Sequence, residues 1–419
     1  MMSAASTARS FGDRSRRSET LGDQRRPVRS VDEHRRLIED LLRPLADREG
    51  EQVAPGAALD RVLAADVHAP VDLPMFRNSG MDGYAVRAAS VAVVPVTLPL
   101  AGVVAAGQAG TVPLPEGAAV KVMTGAPIPP GADCVVPVED TVAGDGVVTV
   151  ERGRAAGEFV REPGTDVVAG RLLVGAGTRI AARHVAALAA VGLPAVPVRR
   201  RIRAVVVSTG DELRPAGAVL EPGQIYNSNG IALAAALTSV GVEVVGVEYS
   251  RDDAAEFTRV LESAVAAADF VITSGAVSKG DFEVVKDVLA ARGGDFGPVA
   301  MQPGGPQGIT VVSGIPVLSF PGNPVGTMVS FEVLARPVLR ELAGLPPAAG
   351  HELPLLAGVR SPAGRRQFLR GLRVADGVDL VSGPGSHLIA AMAQADVLVD
   401  IPAEVTEVAA GTTVKVWEL

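Results

Sequence analysis

Residues 202–213 read IRAVVVSTGDEL, an apolar run that stops at a hydroxyl- and glycine-containing loop. This is the pattern of a buried strand ending in a polar turn. Downstream the pattern alternates. IALAAALTSVG (231–241) reads as a helix, VEVVGVEYS (242–250) as a strand and DDAAEFTRVLESAVAAA (252–268) as a helix. DFVITS (269–274) follows as a strand and FEVVKDVLAARG (282–293) as a helix. ITVVSG (309–314) and IPVLSF (315–320) read as strands, and PVGTMVSFEVLARPVLRELAG (324–344) as a long helix. Strand–helix alternation predicts a doubly wound parallel sheet covered on both faces over residues 201–345.

The flanks differ in character. Residues 31–48 carry Val31, Leu37, Leu41, Leu42 and Leu45 at helical spacing, with Ser30 or Asp32 available as the cap. The next hundred residues are short Val/Leu/Ala runs punctuated by Gly and Pro, which reads as a β-rich module. After a linker at 345–353, the runs RRQFLRGLRV, GVDLVSG, DVLVDIP and TTVKVWEL are again short and β-like. No fixed-period repeat is present.

Composition narrows the function. The chain has 419 residues, 47% apolar and 21% charged, with 47 Gly and 31 Pro that are not periodic, so it is globular and loop-rich rather than collagenous or charge-dense and disordered. Its length suits two to four domains. A net charge of −8 argues against a nonspecific nucleic-acid binder. The single cysteine, Cys134, excludes an internal disulfide framework and a Cys-rich metal site. The histidines are scattered, so any metal would be a hard cation held by carboxylates and phosphate oxygens. The most apolar run, residues 91–107, is broken by Pro95 and Pro99, and no membrane span is expected. The first 30 residues are Arg- and Ser-rich, lack an apolar core and include Asp13, Glu19 and Asp23. They read as a disordered extension rather than a signal. With only four lysines (Lys121, Lys279, Lys286, Lys415) among 39 basic residues, the composition is that of a GC-rich bacterial genome, and the expected compartment is the cytoplasm.

In α/β sheets ligands bind beyond the carboxyl ends of the strands. Three polar loops fall there: Ser208–Glu212, Ser274–Gly280 and Pro321–Pro324. Small residues let backbone N–H groups approach an anion, and the PGNP turn opens a helix. Each loop alone reads equally as a tight turn; three on one edge point to an anion site. Asp211, Glu212, Asp252, Asp253, Asp281 and Glu283 lie beside them. Carboxylates near a phosphate repel it unless Mg²⁺ lies between. For Asp253 helix capping is the favoured reading, while Asp252 and Glu283 stay open between capping and metal binding. Upstream, PMFRNSGMDGYA (74–85) and MTGAP (123–127) read as turns on residue chemistry alone.

As an ordered set, NSGMDGYAVR, MTGAPIP, STGDEL, GQIYNSN, SGAVSKGDFE and FPGNPV are specific. From about residue 31 to Leu419 the chain resembles the molybdopterin molybdenumtransferase family, which includes bacterial MoeA and the E domain of gephyrin. The resemblance implies a linking domain (31–73 and 165–200), a β-rich domain (74–164), the α/β molybdopterin-binding domain (201–345) and a β-barrel-like C-terminal domain (346–419). It also implies a homodimer that inserts molybdate into adenylylated molybdopterin, releases AMP and depends on Mg²⁺. Transient contact with other proteins of the same biosynthesis is implied too.

Residue by residue, the resemblance puts Asp82 and Thr124 at the cleft of the neighbouring subunit. It assigns catalytic roles to these two with Glu212, Asp252 and Glu283, and the metal to Asp252 and Glu283. Ser208, Thr209, Gly210, Asp211, Asn229, Ser274, Gly275, Ser278 and Gly280 would cradle the nucleotide and pterin, with Pro321, Gly322, Asn323 and Pro324. Arg370 and Ser386 match positions proposed to hold molybdate. The chain departs from the family in several places, one of them Glu283, which sits where the family usually has Asp. Ala276 stands where many relatives have Gly, Gly326 where many have Ser, and residues 302–306 (QPGGP) lack the lysines of a KPGKP segment. The alternative is a pterin-nucleotide-binding or scaffold paralogue without turnover, which the missing lysines favour. A pterin adenylyltransferase shares the α/β module but not the flanking β modules.

Overall fold

The structure, a computed structural model, describes residues 28–107, 113–277 and 283–419. At its centre lies a six-stranded sheet in the order Glu243–Ser250, Arg203–Thr209, Phe270–Ser274, Ile315–Phe320, Pro306–Val312, Asp295–Pro298. Strand residues alternate between two layers. Ala204, Val206, Phe270, Ile272 and Leu318 pack under the helix Ser228–Ser239 and the 324–342 helix. Val205, Val207, Val271 and Val317 pack under Ala254–Ala267 and Val284–Ala290. Both faces are therefore covered, which explains the near-continuous apolar strands.

The sheet is mixed, not wholly parallel. The first four strands pair in parallel; the last two are antiparallel. The cause is Ser313-Gly314, at φ +52° and +84°, which closes Val312 onto Ile315 as a two-residue hairpin. A parallel crossover needs a dozen or more residues, so the spacing of ITVVSG and IPVLSF already favoured a hairpin. The long helix also departs from regularity: Phe331–Ala335 is a π-turn, with Arg336 N bonded to Phe331 O. Pro337 has no N–H to offer Val333 O, and Arg35 Nε donates to that carbonyl at 3.0 Å instead.

The first helix spans Val31–Leu42 and is closed by a capping box in which Ser30 and Glu33 exchange bonds of 3.1 and 2.7 Å. Its buried face is Val31, His34, Ile38 and Leu42, rotated from the expected one; Leu37 is exposed. Pro44 turns the rest into a 3-10 segment, Arg43–Asp47. This helix joins the core of the α/β module. His34 is fully buried, and burial, then Arg29, pushes its pKa down to about 4, with Asp295 opposing. The unfolded chain therefore binds a proton first. Stability should be complete above about pH 6.5 and fall by roughly 3 kcal/mol as pH drops towards 4. Urea unfolding of wild type and His34→Gln across that range checks this; the variant should lose part of the acid slope.

The β-rich module is a six-stranded sheet ordered Cys134–Pro137, Gly83–Val86, Ala119–Val122, Val96–Val104, Val147–Val150, Thr141–Ala143. Cys134 is buried there, and burial pushes its thiol up to about 12, so it is chemically quiet. A helix at Ala182–Ala190 packs with Val196 and Val198, an element that the sequence reading passed over. At the C-terminus, Arg366–Val374 pairs with Val397–Ile401, which pairs with Thr413–Glu418, which pairs with Gly350–Pro354. The strand Gly350–Pro354 occupies what read as linker. A single bridge, Leu355 to Val378, brings the far edges together, so the barrel-like expectation is met only by a partly closed ring. Met301–Gln302 adds to this sheet in parallel and stitches the two modules together. Arg366 holds Asp400 through two bonds of 2.7 and 2.6 Å and reaches Asp32 at 3.1 Å. Among the described residues no helix is long and apolar enough to cross a membrane.

Candidate functional site

Three strands end level because their register pairs Ser208 with Ser274 and Ser274 with Phe320. Their loops open into a cleft of ≈ 1460 Å³ between the α/β sheet and the C-terminal module. The loop backbones nearly touch. Gly275, at φ +113°, would place a Cβ 2.6 Å from Thr209 O, and a Cβ on Gly322 would lie 3.3 Å from Gly275 Cα. Asn229, in the first turn of its helix, ties two loops by donating to Ser274 Oγ at 2.9 Å and Gly322 O at 2.8 Å. Thr327 Oγ1 donates to Pro321 O at 2.6 Å. Ala276 sits at φ +50°, a left-handed conformation that glycine adopts at less cost.

The cleft lining includes Ser208, Thr209, Gly210, Asn229, Ser274 and Gly275, together with Pro321, Gly322, Asn323, Pro324 and Ser386. Glu212, Asp252 and Glu283 line it as well. Asp211 stands behind: its N–H donates to Asp252 Oδ2 at 3.3 Å, and the Asp252 N–H donates to Asp211 Oδ1 at 3.2 Å. Ser278 and Gly280, with Lys279, lie outside the described residues. Asp253 caps its helix, accepting from Glu256 N at 2.7 Å. The Asp252 carboxyl is held above the usual carboxylate range by burial, opposed by the Asp211 N–H and reinforced by the charges of Asp211, Glu212 and Glu283. Glu283 is buried at the start of Val284–Ala290.

Arg370 and the Asp82–Thr124 pair stand apart from this lining. Arg370 is fully buried, with Nη2 donating to Ser382 Oγ at 2.9 Å and to Gly383 O. Its Nη1 has no partner among the described residues. It braces the loop that carries Ser386, whose carbonyl accepts from Val325 N at 3.0 Å. Asp82 and Thr124, 42 residues apart, meet on the exposed face of the β-rich module. Asp82 Oδ1 accepts from Thr124 N at 2.7 Å and Thr124 Oγ1 at 3.0 Å. Those two bonds, backbone first, lower the Asp82 pKa and keep it ionised.

Sequence reasoning missed a cationic member of the lining, Arg365, which nothing in GRRQ distinguishes from Arg366. Residues 298–306 form a wall of the cleft, and Gln302 Oε1 accepts from Gln367 Nε2 at 2.8 Å, so this wall is neutral.

The fold and site define a multi-module protein with a cleft lined by glycine- and hydroxyl-rich loops at the carboxyl edge of an α/β sheet and bordered by carboxylates. Three family descriptions cover the chain in order. "MoeA N-terminal region (domain I and II)" matches residues 29–192, "Probable molybdopterin binding domain" 205–341 and "MoeA C-terminal region (domain IV)" 352–419. Molybdopterin molybdenumtransferase 2 of Mycobacterium tuberculosis is 43% identical over 94% of this chain and 100% of its own length. The Nostoc molybdopterin molybdenumtransferase is 35% identical, with 94% of each chain covered. A crystal structure of the molybdopterin biosynthesis MoeA protein from Pyrococcus horikoshii superposes with a TM-score of 0.78 at 32% identity, covering 94% of this chain and 99% of that one. The chain belongs to the molybdopterin molybdenumtransferase family.

Proposed function

We propose that this protein inserts molybdate into adenylylated molybdopterin and releases AMP, acting as a Mg²⁺-dependent homodimer. The observation that carries the reading is the convergence of three glycine- and hydroxyl-rich loops on one cleft, with Asp252 and Glu283 in its lining. The loops offer backbone donors to the pyrophosphate, and Asn229 keeps two of them in register. Asp82, with Thr124 fixing its orientation, reaches the cleft of the other subunit. Arg370 acts on molybdate by holding the Ser382–Ser386 loop in place.

Mg²⁺ fits the acidic side of the cleft as a partly hydrated ion. Among the described residues no three His, Cys, Asp or Glu side chains converge as a metal cage. Burial first, and then the neighbouring charges of Asp211, Glu212 and Glu283, raise the Asp252 pKa, so a cation placed among these carboxylates would be favoured. Asp252 and Glu283 would hold the ion together with substrate phosphate oxygens. When bound, it would polarise the phosphoanhydride.

The neutral 298–306 wall favours the second reading, a nucleotide-binding scaffold without turnover. AMP release on adding molybdate to the loaded protein separates the two. The same wall yields a graded prediction. A Cβ on Gly305 meets only Met301 O and Val299 O at 3.6 Å, so a side chain fits there. Gln302→Lys with Gly305→Lys should lower the molybdate concentration for half-maximal AMP release roughly tenfold, since a charged hydrogen bond is worth about 1.5–3 kcal/mol. An unchanged half-saturation would mean that another group, Lys279 first, already supplies the charge.

A further inference from the structure

Arg48, Arg61, Arg179, Arg199 and Arg201 converge, with Asp60, on a cavity of ≈ 210 Å³ where the amino-terminal module meets the α/β module. Three separate parts of the chain deliver these arginines: the residue that follows the 3-10 segment Arg43–Asp47, the amino-terminal module and the segment entering the central sheet. A single charge run on a solvated face would not produce that convergence. Carboxylates offset only part of the charge. Arg179 bonds Asp60 at 2.7 Å, Arg61 pairs with Glu51, and the adjacent Arg200 is held by Asp269 at 2.8 and 2.9 Å. Arg48, Arg199 and Arg201 have no ion-pair partner among the described residues.

Arg48 is fixed in place. It donates to Leu45 O at 2.9 Å, to Leu342 O at 3.0 Å and to Arg200 O. Burial, then Arg199 and Arg200, pushes its pKa down to about 10, as expected for a guanidinium crowded by like charges. Arg179 Nε is buried with no partner among the described residues. In a chain of net charge −8, such a concentration of positive charge is self-repulsive until an anion enters.

We propose that this cavity is a second anion site, which takes a small tetrahedral dianion on Arg199 and Arg201. Guanidinium forks match tetrahedral oxyanions, and the volume is below the roughly 300 Å³ of pockets for larger organic ligands. The site is distinct from the cleft. Ile202 and Val242 line it, immediately before Arg203–Thr209 and Glu243–Ser250, whereas the cleft opens at the far end of the same strands. A seven-residue strand separates the two by about 20 Å. A bound dianion would fasten the amino-terminal module to the sheet and to the end of the long helix at Ala343 and Leu345.

Calorimetric titration of the full chain at constant ionic strength tests this, with inorganic phosphate and molybdate as separate probes. Wild type should show saturable phosphate binding that chloride at equal ionic strength does not reproduce. Arg199→Gln with Arg201→Gln should weaken it at least tenfold while the melting temperature stays close to wild type. Arg201→Gln alone, at an exposed position, should weaken it to a lesser degree and serves as the readout if the double variant unfolds. Arg365→Ala, which removes the cleft guanidinium, should leave it in place. Tighter phosphate than molybdate in Arg365→Ala identifies a phosphate-group ligand; the reverse order identifies a holding site for the metal oxyanion. Phosphate binding that survives in the arginine variants, disappears in Arg365→Ala or is matched by chloride overturns the proposal.

Discussion

Asp82→Ala should lower molybdate-dependent AMP release by about a hundredfold or more while the protein stays folded. Asp82 is exposed on the β-rich module, and among the described residues the bonds of its carboxylate are the two that Oδ1 accepts from Thr124. Oδ2 is left without a partner among the described residues, as suits a carboxylate that serves another surface. The melting temperature should move by no more than a few degrees. Mixing Asp82→Ala with Glu283→Gln supplies the decisive control. If the site is shared, a mixed dimer holds one cleft with both residues intact, and at a Mg²⁺ concentration too low to support Glu283→Gln alone its activity rises above that of either variant. No recovery in verified mixed dimers would confine the site to one chain. Unchanged activity of Asp82→Ala would remove the residue from the chemistry.

Asp252→Asn combined with Glu283→Gln should raise the Mg²⁺ concentration for half-maximal AMP release at least about tenfold, and chelator should silence wild type. The pH dependence has a definite sign. Burial first, and then the charges of Asp211, Glu212 and Glu283, hold the Asp252 carboxyl above its ordinary range. Protons therefore compete with the cation at a higher pH than at an ordinary carboxylate. Apparent Mg²⁺ affinity should fall as the pH drops through that raised value, and the fall should be absent in Asp252→Asn. AMP release indifferent to chelator and to both substitutions would take the metal out of the account.

The α/β core was legible because its strands are buried on both faces and its helices are amphipathic, so periodicity alone separated them. The sense of pairing, antiparallel rather than parallel, was not read correctly at 309–320. There a two-residue Ser-Gly connection outweighs the βα alternation, and turn length was the signal to follow. The first helix was found but its face misjudged. Both Leu37 and Ile38 fit an apolar stripe, and only the tertiary partners choose Ile38. The loop residues of the cleft were legible because parallel strands in register must end at one edge. Arg365 was not, since it reaches the cleft through pairings between residues more than sixty positions apart, and residues 302–306 were singled out only through the family resemblance. The meeting of Asp82 with Thr124 is likewise a product of the sheet of the β-rich module, in which Gly83 pairs with Val122.

The most direct measurement loads the purified chain with adenylylated molybdopterin and Mg²⁺, then follows AMP by chromatography before and after molybdate is added. The account predicts little AMP without molybdate, rapid release on its addition, and molybdenum retained on the pterin in proportion to the AMP formed. Equal AMP release with and without molybdate, or a protein that binds the nucleotide tightly and releases none under either condition, would contradict it.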